Sequence, residues 1–127
     1  MSELNRTAQF LRSLNVLDLT FSSGETLEVY VASTPAELQT GLAGISHLEL
    51  DLGGMLFCFP GLTTTPFTAA RMAMPMDIAW YGSRGNRLAS QSVAAGHTER
   101  LVANDSFLYV VETPAGRLPE GDLVLNG

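Results

Sequence analysis

Apolar and polar positions along this chain change their period several times, and each change marks an element. Leu4, Ala8, Leu11 and Leu14 recur at helical spacing, with Phe10 beside them and Ser2 able to cap. That spacing predicts an amphipathic helix over about 3–14. From Asn15 the period falls to two. Leu17, Leu19 and Phe21 alternate with Asp18 and Thr20, and after the turn Ser22-Ser23-Gly24-Glu25 the residues Leu27, Val29 and Val31 alternate with Glu28 and Tyr30. This predicts a β-hairpin. Thr34-Pro35-Ala36-Glu37 then sets a cap, a proline at the first helical position and a glutamate three residues after the cap, the signature of a helix start. A short helix over about 35–43 follows, with Leu38 and Leu42 on its buried face and Gly41 and Gly44 suiting its end. Residues 45–53 read as an irregular link.

Two very apolar runs come next, Gly53 to Pro60 and Met72 to Tyr81, separated by a Thr/Pro-rich connection. The first is short, aromatic and bounded by Gly and Pro, which predicts a buried strand. Gly61 to Pro66 reads as a loop, and Phe67 to Ala70 as resumed extended structure. Pro75 predicts an edge, a bulge or a kink, followed by a strand from Met76 to Tyr81. Gly82 to Asn86 is a turn, Arg87 to Val93 its returning partner, and Ala94 to Asn104 a surface loop. Phe107 to Thr113 is a strand, Pro114-Ala115-Gly116 a turn, and Gly121 to Leu125 a last short strand. The sum is a β-rich α+β fold: a small barrel-like or curled, mostly antiparallel sheet with two helices. Residues 1–15 form a helical extension and 16–127 a single β-barrel-like domain.

Composition narrows the function. With 46% hydrophobic and 16% charged residues the chain is globular, and no apolar run reaches the ~18 residues of a membrane span. The N-terminus has no basic-then-apolar pattern, so no signal peptide is expected, and the protein is placed in the cytoplasm or in a soluble particle assembled there. All seven cations are Arg and the net charge is -6. The absence of Lys removes Schiff-base and P-loop chemistry, and scattered Arg on an acidic chain opposes nucleic-acid binding. The single cysteine, Cys58, excludes an internal disulfide and reads as a buried small hydrophobe. His47 and His97 fall in predicted loops without metal-ligand spacing. Ser92 and Thr98 lack an elbow motif or a placed base. No metal and no cofactor are expected.

Asp77 stands out. It lies between Met76 and Ile78, where a carboxylate must find hydrogen bonds or a cation. It either caps backbone N–H groups or pairs with Arg71, the nearest cation in sequence, or else serves with Arg71 as a ligand-binding pair. Trp80 and Tyr81 alternate across a strand, so one of them is expected to face solvent or a partner. Together with Phe10 and Leu14 they form the expected interaction surface. The methionines from Met55 to Met76 fit core packing or an adaptable contact surface, and the low-charge loops at Thr63-Thr64-Thr65 and Ala94 to His97 are compatible with docking.

An ordered set of segments also carries a resemblance: Thr34-Pro35-Ala36-Glu37 with Gly41-Leu42, Gly54-Met55-Leu56-Phe57 with Phe59, Pro75-Met76-Asp77-Ile78, Val111-Glu112 with Pro114-Ala115-Gly116, and Gly121-Asp122. Over roughly residues 25–125 the chain resembles domain-of-unknown-function family 192, small bacterial and archaeal proteins. The resemblance implies a compact β-barrel-like fold and leaves the activity open. It also implies an aromatic–Met–Lys–Asn–Thr segment before the Pro–x–Asp. Here Thr68-Ala69-Ala70-Arg71-Met72 stands instead. The family's frequent Cys-Pro before the Tyr109 strand is missing too, and the segment between Gly116 and Gly121 is short. These departures favour a non-catalytic interaction or structural module that associates with itself or with protein partners, a virion decoration or accessory subunit being one form, with both chain ends tied down. The alternatives are a small-molecule-binding protein using a pocket near Asp77, and an enzyme of unknown reaction.

Overall fold

The changes of period become elements in the expected order. The computed structural model describes residues 9–43 and 50–125. Residues 9–13 are helical (α1). Then come β1 (Asn15–Thr20), β2 (Thr26–Ala32), α2 (Pro35–Thr40), β3 (Gly54–Thr63), β4 (Met76–Tyr81), β5 (Arg87–Val93) and β6 (Phe107–Pro114). The start of the N-terminal helix, both chain ends, Gly44, His47 and most of the 45–53 link lie outside the described residues.

The strands form one mixed sheet in the order β1-β2-β3-β6-β4-β5. β2 and β3 run parallel, and every other neighbouring pair is antiparallel. The sheet is therefore curled but open, with β1 and β5 at its edges. A parallel pair needs a crossover, and α2 lies in it. At six residues α2 would not persist alone. Its start is fixed by reciprocal caps: the Glu37 N–H donates to Thr34 Oγ1 at 3.2 Å, and Glu37 Oε1 accepts from the N–H groups of Thr34 and Ser33 at 3.2 and 3.0 Å. The helix ends at Thr40 rather than at residue 43, because Gly41 turns out of it at φ 50°.

Both faces of the sheet are covered. Leu11, Leu14, Leu42, Met72 and their neighbours pack on one face against Tyr30, Met55, Phe57, Ile78, Trp80 and Val110. On the other, Leu19, Phe21, Val29, Leu56, Ala79, Tyr81, Val111 and Leu123 form a second cluster. A strand buried on both sides reads as an unbroken apolar run rather than an alternation, which accounts for Met55-Leu56-Phe57 and for Ile78 to Tyr81.

Several expectations are corrected by pairing. β3 continues past Pro60 to Thr63, where the sequence suggests a loop, because Thr63 still pairs with Phe107 across an irregularity. Phe67 makes a single bridge to Leu101 and is followed by a turn rather than a strand; the 121–125 strand likewise reduces to one bridge, Phe21 to Leu123. Pro75 does not mark an edge. It immediately precedes β4, which is interior between β6 and β5. Trp80 and Tyr81 do point to opposite faces, but each face has its own core, so they are 1% and 0% exposed. Neither reaches solvent.

One close approach ties the centre together. A Cβ at Gly54 would collide with the carbonyl oxygen of Glu112 on β6, so Gly54→Ala must push two central strands apart. It should cost about 1–3 kcal/mol in urea unfolding. Gly61→Ala near the exposed end of β3, where a Cβ meets open space, should stay within about 0.5 kcal/mol of the parent.

Candidate functional site

A concavity lies between α2 and the segment running from Thr65 to Met72, on the face of the sheet that α2 covers. It encloses about 520 Å³, inside the range of roughly 300–1,000 Å³ typical of small-molecule sites. Leu38, Leu42, Phe57, Phe59, Phe67 and Met72 supply its apolar walls. The phenylalanines are set edge to face, Phe57 to Phe67 at 5.3 Å and Phe59 to Phe107 at 5.6 Å between centroids, an arrangement the ring quadrupoles favour. Gly41 lets the end of α2 come down onto Phe57, since a Cβ there would already touch that ring at 3.0 Å. Paired hydrogen bonds of 2.9 Å between Phe67 and Leu101 pin the opposite wall. A turn closed by the Met72 N–H on the Ala69 carbonyl, at 3.0 Å, carries Arg71 to the rim.

Two ionisable groups among the described residues line this cleft, Arg71 and Glu112. Arg71 is exposed and makes no ion pair with another described residue. Glu112 lies on the floor. It comes from the middle of β6, opposite Met55 on one side and Ile78 on the other, and is only 3% exposed. No described residue hydrogen-bonds its side chain. Burial pushes its carboxyl up to about 8, so at pH 7 it is mainly a neutral acid, able to donate as well as accept.

Of the structural alternatives for Asp77, the backbone cap forms and the pairing with Arg71 does not. Alternation along β4 sends Asp77 to the face shared by Ala79 and Tyr81, while Arg71 lies over the other. Asp77 Oδ1 accepts from the Ser92 hydroxyl at 2.6 Å and Oδ2 from the Gly116 N–H at 2.9 Å. The carboxylate thus ties β5 to the turn after β6. It borders a small polar hollow with Arg87, Ser90 and Gln91, where Arg87 meets the exposed Glu120 at 3.5 Å, a contact of little energetic weight.

The expected interaction residues fare similarly. Leu14 is 7% exposed within the core and Phe10 packs half-buried against it, so, with Trp80 and Tyr81 also buried, these residues do not form a surface. The large exposed apolar side chains are elsewhere, with Val16 and Leu17 on the β1 edge and Leu62 and Val102 in other segments. Cys58 is half-buried and desolvation raises its thiol pKa, opposite to what a nucleophile needs. Among the described residues, no group of three His, Cys, Asp or Glu could hold a metal ion, and no helix is long and apolar enough to cross a membrane.

Sequence reasoning passed over Glu112. The signal was available: a carboxylate between Val111 and Thr113 in an apolar strand is the same anomaly that singles out Asp77. Because folding raises this carboxyl above its ordinary 4.5, the native state holds the extra proton, and stability falls as pH rises from about 4.5 through about 8. The slope should approach about 1.4 kcal/mol per pH unit at most. Glu112→Gln should flatten that decline, which thermal melts between pH 5 and pH 9 would reveal.

The sequence profile of domain-of-unknown-function family 192, described as an uncharacterized ACR, matches residues 18–124. A solved structure from Sinorhizobium meliloti 1021, of a candidate transcription regulator, superposes with a TM-score of 0.70 at 21% identity, covering 87% of this chain and 90% of that one. A protein of unknown function from Novosphingobium aromaticivorans DSM 12444 superposes at 0.68 with 23% identity, over 81% and 74% of the two chains. Both share the fold. No curated protein matches the sequence.

Proposed function

The chain belongs to domain-of-unknown-function family 192, and from that premise we propose that it is a small-molecule-binding domain whose site is the cleft between α2 and residues 65–72. The observation that carries this reading is the floor: a carboxyl 3% exposed, without a hydrogen-bond partner among the described residues, facing an apolar cavity. A carboxyl at the buried end of an apolar cleft is the kind of isolated polar group that orients a bound molecule.

The small-molecule alternative read from the sequence thus moves from Asp77 to the opposite face. Catalysis would need a second group placed against Glu112; the described residues offer Arg71 at the rim. Assembly with partner proteins would have to use surfaces such as Val16 and Leu17 rather than Trp80 and Tyr81. The regulator from Sinorhizobium meliloti lends little to a nucleic-acid role here, since at 21% identity it speaks for fold alone and a net charge of -6 repels phosphates.

Neutral aromatic fragments should bind this cleft, shifting the methyl signal of Met72 in NMR titrations. Filling the cleft with Leu38→Trp or Thr68→Trp should weaken that binding about tenfold or more in variants that still melt cooperatively. Asp77→Ala should cost about 1–3 kcal/mol of stability and leave fragment affinity unchanged. Loss of binding in Asp77→Ala with retention in both tryptophan variants would place the site on the other face.

A further inference from the structure

Resting on that assignment of the cleft, we propose that its ligand is a small organic acid with an apolar body. Its carboxylate sits at the rim against Arg71, and a hydrogen-bonding group at its far end sits against Glu112. The charge pattern of the cleft supports the acid. Across the chain the net charge is -6, yet within the cleft the described ionisable groups are a guanidinium and a carboxyl that burial keeps mainly neutral at pH 7. The cleft is locally positive on a negative molecule, which selects an anion. A guanidinium matches a carboxylate in particular, through two parallel N–H···O bonds. Arg71 is exposed at the rim and makes no ion pair with another described residue.

The floor supports the second polar group. A ligand that ended in a methyl or a bare ring edge would offer the Glu112 carboxyl no hydrogen bond at the buried end of the cleft, and sites built around such groups reject analogues that cannot reach them. Between floor and rim, the edge-to-face rings of Phe57 and Phe67 offer faces and edges suited to an aromatic body.

The test uses the full chain at pH 6.5 and low salt with three probes: para-hydroxyphenylpropionate, phenylpropionate and para-hydroxyphenylpropionamide. NMR titration should show the hydroxylated acid binding most tightly. The amide should be weaker by about threefold to fivefold, the size of an exposed ion pair. The acid lacking the hydroxyl should be weaker by about tenfold. Arg71→Gln should abolish the difference between acid and amide, and Glu112→Leu the difference made by the hydroxyl, while Glu112→Gln, which still donates and accepts, keeps the latter. Equal affinity for acid and amide, with Met72 shifting for both, would overturn the ligand class and leave the binding site standing. If neither these probes nor neutral aromatic fragments perturb Met72, both the ligand class and the site are overturned.

Discussion

Burial of the central strands on both faces is the constraint on which the rest of the structure depends. β3, β6 and β4 lie side by side with a hydrophobic cluster above and another below. Where these strands are covered on both faces, a side chain does not have water as a default neighbour. Each polar residue there must be tied up locally, left neutral, or given a cavity. Thr113 takes the first course, its hydroxyl donating to the Pro114 carbonyl. Glu112 takes the other two.

The same constraint separates two carboxylates that look alike in sequence. Asp77 and Glu112 each interrupt an apolar strand, yet their environments push them toward different chemistry. Asp77 is held as an acceptor by a hydroxyl and a backbone N–H, which stitches a sheet edge to a turn. Glu112 is desolvated without such donors among the described residues, and that burial raises its carboxyl to about 8. Thr68, Arg71 and Met72, from the segment just before Pro75, line the cleft, while Gly54 lets β3 meet β6 closely.

Much of the fold was legible because it rests on local physics. The Thr34 to Glu37 capping box, the two-residue period of β1 and β2, and the Arg87 to Val93 return after a glycine-rich turn all act over a few residues. The misreadings share a cause. Thr63 in β3, the lone bridges at Phe67 and Leu123, and the interior position of β4 beside Pro75 depend on which distant strand lies alongside.

By itself, then, the sequence determined the order and type of the main elements, the family, and the presence of carboxylates in apolar surroundings, since caps, periods and turn residues carry that information over short spans. Only the tertiary structure decided that the sheet stays open, that Trp80 and Tyr81 both lie inside, and that Asp77 and Arg71 lie on opposite faces while Glu112 and Arg71 share one cleft. The physical reason is alternation: along a strand each step reverses the face, and which face holds the cavity is set by pairings between residues far apart in the chain.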